Sequence, residues 1–282
     1  MQRTAQSALW VLALLAAFVL YAAAQSALKD RRTDVAAPEL LVSMPRFAQV
    51  LLAGGDRDLA ANLAGFRVLV ASTERMTQDD YAVQARLQKD IAWLNPAHED
   101  NYYIAAAILP WNGHVQAAQS ILRQAAEARL QDWQPMFYYG FGRYHFFADP
   151  ADGARWLLQG AERAADQQER WALESLAARW IERGYQTGNA AQIVDAMARN
   201  SPPGGFRRYL HLRAARLQEL AHLQEAAERY RRELGRNIAR LEDLVAAGYL
   251  DRLPSDPLKF GFGVDANGTP ILLSNPRGGR TQ

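Results

Sequence analysis

From residue 81 to about residue 240, apolar and small side chains recur at spacings of three and four. That is the period that places them on one face of an α-helix. Short breaks rich in Gly, Pro, Asp and Asn interrupt the pattern, at Asn112-Gly113, Asp149-Pro150 and Pro202-Pro203-Gly204-Gly205, and such breaks end helices. The helical stretches align with one another. Ala118, Leu122 and Ala125 match Ala154, Leu158 and Ala161, and then Ala190, Val194 and Met197, at a constant step of 36 residues. Upstream of each trio a second helix carries its own marks. Tyr102, Ala106 and Gly113 come first, Gly140 then takes the place of Ala106, and Ala177 and Gly184 follow. "WLNP" at 93–96 closes an earlier, more degenerate unit. A fixed period of this size predicts repeated antiparallel helix pairs, with small residues letting neighbouring helices approach closely.

The pattern changes on both sides of the repeats. Residues 206–235 read as one long amphipathic helix with Leu210, Leu217, Leu220, Ala227, Tyr230 and Leu234 as its buried stripe. Glu219, Glu225, Glu228 and Glu233 interleave with its arginines, which predicts a solvated face of i,i+4 pairs and not a nucleic-acid patch. Residues 34–80 predict two or three helices separated at "MPRF" and "LLAGGDRD", with no chemical motif. After residue 241 a short helix runs to Gly248, and Pro254 and Pro257 prevent its continuation. The runs "KFGFGVD" and "TPILL" flank Asn267-Gly268 and predict a two-residue β-hairpin.

Residues 8–24, "ALWVLALLAAFVLYAAA", form an uncharged apolar run after Arg3. As a helix it spans roughly 26 Å, the short end of what crosses a bilayer. It reads as an uncleaved anchor, with Trp10 and Tyr21 near its ends. It also reads as a signal peptide, with Ala22 and Ala24 before Gln25. Lys29, Arg31 and Arg32 follow it, so the charge rule does not fix orientation. A lone apolar segment after a basic start acts as an export signal, which places the body outside the cytoplasm; a cytoplasmic body is the alternative.

The 282 residues are 49% hydrophobic and 22% charged, enough for a sizeable core. Net charge is +2, which gives no overall electrostatic case for nucleic acid or an acidic partner. The absence of Cys removes disulfides, thiolate catalysis and thiolate metal sites. No phosphate-binding Gly loop, HExxH or GxSxG occurs. His98, His114, His145, His211 and His222 show no metal-ligand spacing. The expectation is a protein without enzymatic activity and without a cofactor.

Residues 81–200 resemble the tetratricopeptide repeat (TPR) family in their paired helices, unit length and Gly, Ala and Pro marks. They depart from its pattern at Arg143, where an aromatic is expected, at Pro110 and in the length of the unit. The resemblance implies an all-α fold, a TPR-like α-solenoid of antiparallel helix pairs whose concave face is lined by the first helix of each unit. Carried over residue by residue, its partner-binding positions are Tyr103, Ala107 and Trp111, then Phe137, Phe141, Tyr144 and His145, then Glu174, Ala178 and Glu182. The competing reading makes the rings of "MFYYGFGRYHFF" packing between helices.

"LEDLVAAGYLDRLPSDP" at 241–257 resembles the tail of type II secretion pseudopilins, and of some membrane-anchored bacterial TPR proteins. The pseudopilin methylation signal is missing from "MQRTAQSALW". Such tails can hold calcium, but here only Asp256 and Asp265 stand nearby.

The implied organisation is a membrane segment at 1–28, helices at 34–80, repeats at 81–200, a capping helix at 206–240 and a β tail at 241–282. The implied role is an interaction scaffold anchored in the bacterial inner membrane, with its body periplasmic. It would bind other proteins of a secretion, pilus or surface-polymer complex and no nucleic acid. An accessory subunit docked through its membrane helix and tail is one alternative, and an envelope enzyme or metal-binding protein is another.

Overall fold

Helix boundaries in the computed structural model, which describes residues 16–21, 23, 44–71 and 76–274, follow from local capping chemistry. The chain is mostly helical, with one small sheet near its C-terminal end. It divides into two compact units, residues 1–101 and 102–282, so the predicted repeat region is split between them. The apolar run at 8–24 lies largely outside the described residues; residues 16–21 and 23 are helical. Among the described residues no helix is long and apolar enough to cross a membrane.

The first unit holds α1 (Arg46–Leu52), α2 (Arg57–Val70) and α3 (Gln78–Leu94). Gly54 and Gly55 take positive φ in the α1–α2 turn, a conformation open to Gly. Asp56 then caps α2 by accepting from the Asp58 and Leu59 N–H groups at 2.9 and 3.0 Å. Thr77 and Asp80 form a reciprocal capping box at the start of α3. Helix α2 buries its small residues, Ala60, Ala61, Ala64 and Gly65, together with Val68. It exposes its larger ones, Leu59, Leu63, Phe66, Leu69 and Val70. On α1, Phe47, Leu51 and Leu52 are exposed as well. Trp93 at the end of α3 lies beneath the guanidinium groups of Arg46 and Arg57, 5.1 and 4.6 Å from its ring centre.

Helix α4 (Glu99–Ile108) leads into the second unit. It stops before Pro110, which opens a 3₁₀ turn over Pro110–Asn112, closed by Gly113 at φ 85°. Helices α5 (Val115–Ala128), α6 (Gln134–Phe146), α7 (Pro150–Arg163), α8 (Gln167–Gly184), α9 (Thr187–Asn200) and α10 (Gly205–Leu234) follow, each packed on the next where contacts are dense. Asp149 and Asp166 cap α7 and α8 through their side chains. Arg143, the departure from the repeat pattern, bridges the α6–α7 turn by pairing with Asp149 and Asp152, each at 2.7 Å. Gly140 and Gly153 permit a close approach of α6 and α7. A Cβ on either would lie 2.8 Å from the other's carbonyl oxygen.

The aligned trios are buried at Ala118, Leu122 and Ala125, at Ala154 and Ala161, and at Ala190 and Val194. Two positions slip by one residue: Leu157 is buried where Leu158 is half-exposed, and Ala198 where Met197 is half-exposed. A helix gains about 20° on a strict heptad, so the buried seam drifts off spacings of four and three. On α10 the expected stripe is buried except for Leu234, which is exposed beside the helix end.

The tail folds back on α10. Helix α11 (Glu242–Ala246) ends with Gly248 at φ 78°. The Gly248 N–H donates to Val245 O at 3.1 Å and the Tyr249 N–H to Leu244 O at 2.9 Å, the paired bonds of a Schellman motif. Strands β1 (Phe262–Val264) and β2 (Pro270–Leu272) pair antiparallel, with Gly263 opposite Ile271. Their connection is not the two-residue turn expected. Asp265 N–H donates to Thr269 O and Gly268 N–H to Asp265 O, both at 3.0 Å. Only Gly268 has positive φ, so Ala266, Asn267 and Gly268 form a three-residue loop. The Asp265 carboxylate selects it by accepting from the Asn267 and Thr269 N–H groups at 2.9 and 2.8 Å.

An aromatic recess on the second unit

The recess is lined by Tyr103, Ile104, Ala106 and Ala107 of α4, Trp111 of the 3₁₀ turn, and Phe137, Tyr138 and Phe141 of α6, around a volume of about 510 Å³. Its walls are almost wholly apolar. The positions follow from helical spacing: Tyr103 and Ala107 are one turn apart on α4, as are Phe137 and Phe141 on α6. Pro110 ends α4 early and thereby turns Trp111 out at the rim, where it is 57% exposed. Rings support one another around the opening. Tyr103 meets Tyr138 edge-on at 5.7 Å and Tyr138 meets Phe137 at 5.3 Å. Trp111 lies 5.2 Å from His145, which stacks on Phe141 at 5.3 Å.

Below the recess, a polar cluster fixes the start of α6 against α4. Buried Tyr102 donates its hydroxyl to Asp132 at 2.9 Å, and Arg129 pairs with the same carboxylate at 2.7 Å. The Gln134 N–H donates to its other oxygen at 2.9 Å. Burial, reinforced by hydrogen bonding to Tyr103 and Asp132, raises the Tyr102 pKa well above the ordinary phenol range. Burial alone would raise that of Asp132, but the donors from Gln134, Arg129 and Tyr102 outweigh it and lower the value.

Of the residues carried over from the repeat resemblance, Tyr103, Ala107, Trp111, Phe137 and Phe141 come together in this recess. His145 stands at its edge through its ring contacts. Tyr144 points elsewhere, stacking on Trp180 at 4.5 Å and accepting from Arg183. Ala178 is fully buried and presents nothing to a partner. Glu182 pairs with Arg213 of α10 at 2.6 Å, and burial raises its pKa against the opposing pull of that arginine. Glu174 is half-buried on α8, its pKa raised by burial and pulled back by Arg170. The carried-over set is therefore an aromatic recess plus side chains that stand apart from it, of which Tyr144 and Glu182 join helices. Ile104, Ala106 and Tyr138 line the recess without having been expected there. Tyr138 lies in the conspicuous ring-rich run, which was the available signal.

The tail residues are also accounted for. Asp256 accepts from the Leu258, Phe260 and Gly261 N–H groups at 2.8, 3.0 and 2.6 Å and pairs with buried Arg216 at 2.8 Å. Arg216, expected on a solvated face, also donates to Gly261 O at 3.0 Å and Leu273 O at 2.8 Å. Among the described residues no group of three or more His, Asp or Glu side chains is placed to hold a metal ion. No protein-family model, no curated protein and no solved structure matches the chain.

Proposed function

We propose that the chain is a non-enzymatic interaction scaffold of the TPR type, anchored through residues 8–24 in a bacterial inner membrane with its body periplasmic. The aromatic recess receives an apolar side chain from a partner protein of a membrane or envelope assembly. The observation carrying this reading is the recess itself. Residues far apart in sequence, carried over independently from two repeat units, meet around one apolar hollow of about 510 Å³. That volume suits one or two large side chains, and clustered rings with an indole at the rim are the usual composition of interface anchors. The tail supports a capping role, because its polar groups are engaged by α10 of the same chain.

The test is co-purification in mild detergent with identification by mass spectrometry, comparing wild type with Ala107→Trp. That substitution fills the recess from an exposed position. The expected outcome is loss of the specific partner at unchanged thermal stability. Retention of the partner by Ala107→Trp, with its loss on removing residues 241–282, would transfer the role to the tail and favour the docked-subunit alternative. A periplasmic reporter fused after Gln282 checks the topology.

A further inference from the structure

Helix α2 carries apolar residues on both sides, and its larger ones face outward alongside exposed Asn62. Its packed side consists of Ala60, Ala61, Ala64, Gly65 and Val68, whereas Leu63 and Phe66 are 55% and 64% exposed beside Leu59, Leu69 and Val70. Successive positions 59, 63, 66 and 70 form one stripe along the helix. Helix α1 adds exposed Phe47, Leu51 and Leu52. A set of this size marks a surface that is covered in use. We propose that this α1–α2 face lies in the interfacial layer of a lipid bilayer, the one into which residues 8–24 insert. The inference rests on the anchored reading above for that second clause.

Three observations favour lipid over protein. The α2 stripe at positions 59, 63, 66 and 70 is aliphatic with one Phe and carries no Tyr, Trp or His, although exposed Asn62 lies beside it. Protein interfaces concentrate Tyr, Trp and Arg at their energetic centres and under-use Leu and Val. A fluid acyl layer demands only apolar area, with no specific partner for each side chain. Second, the apolar run at 8–24 precedes α1 along the chain with only residues 25–45 between them. Insertion of the run therefore tethers α1 and α2 within reach of the membrane surface. Third, the same unit carries Trp93 against the guanidinium groups of Arg46 and Arg57. Indole and guanidinium groups favour the headgroup layer, where an apolar body and a polar tip are both satisfied.

The chain has no Cys, so a single cysteine introduces one spin label without background. Leu63→Cys and Phe66→Cys are labelled in the full chain and reconstituted with vesicles of phosphatidylethanolamine and phosphatidylglycerol, with exposed Glu225→Cys of α10 as the reference. Flotation reads membrane attachment. Accessibility to oxygen, which enters lipid, against a nickel chelate, which stays in water, reads the position of each label. The expected result is flotation, with the oxygen-to-nickel ratio at Leu63→Cys and Phe66→Cys several-fold above that at Glu225→Cys. Floating chains whose labels match Glu225→Cys overturn the lipid face and leave the anchor standing. Floating chains with labels inaccessible to both reagents, or broadened by a neighbouring spin, show a protein cover or a second copy and overturn it equally. Chains that fail to float overturn the anchored reading and this inference together.

Discussion

Helices α2 and α10 both present more apolar surface than their neighbouring helices cover, and the chain treats them differently. On α10, Leu223, Ala226, Ala227 and Tyr230 are buried by the following segment through Ile238, Leu244, Tyr249, Leu250, Leu253, Phe262 and Val264. On α2, Leu63 and Phe66 receive no such cover among the described residues. The contrast teaches that an apolar stripe does not stay bare for want of a covering device in this sequence. Dozens of residues beyond α10 serve as its cover, held by Arg216. The outward face of α2 is thus a surface whose cover lies outside the described fold.

The largest test of that contrast removes the cover's fastening. Asp256→Ala leaves Arg216 buried without its counter-ion and frees three backbone donors, a loss of about 3–5 kcal/mol. Chemical denaturation should show it, with amide exchange rising over residues 250–273. Next, truncation on the two helices should diverge: Leu223→Ala beneath the tail costs about 2–5 kcal/mol. In the tail loop, Gly268→Ala should cost about 1–3 kcal/mol, from its positive φ and from a Cβ that would sit 2.6 Å from Asn237 Cβ. A pH effect of smaller size marks the same cover. Backbone N–H groups of Arg240 and Ala239 hold the Asp243 carboxyl below its ordinary pKa. Its contribution is therefore present above the unfolded value of 3.8 and lost as pH falls through the lower folded value. Protection of residues 239–250 should weaken in that window for wild type and lose this dependence in Asp243→Asn. Smallest of all, Leu63→Ala on exposed α2 should change stability in detergent-free solution by less than about 0.5 kcal/mol. A cost like that of Leu223→Ala would show that α2 is covered by protein after all.

How much of this was legible from sequence differs along the same line. Breaks at Asn112-Gly113, Asp149-Pro150 and the Pro-Pro-Gly-Gly run located the helix ends, because caps and breakers act over a few residues. Five of the recess residues, Tyr103, Ala107, Trp111, Phe137 and Phe141, were reached through the repeat resemblance, which carries positions over within each helix pair. Tyr144 and Glu182 stand apart from the recess because they engage Trp180 and Arg213, partners distant in sequence that no local spacing reveals. Arg216 was read as solvated because its partner Asp256 is 40 residues away, beyond any periodic signal. The outward face of α2 was invisible for the opposite reason. With apolar residues on both sides and its few polar ones scattered among them, α2 has no wholly polar face to reveal which side is turned inward.

The grip of Arg216 on Asp256 also orders events during synthesis. Arg216 leaves the ribosome well before Asp256, so the finished α10 must wait with an unpaired guanidinium and an uncovered apolar flank. A chain interrupted anywhere before Asp256 lacks both the counter-ion and part of the cover. Closure of the α10 flank by the tail is thus open only to chains translated past Asp256.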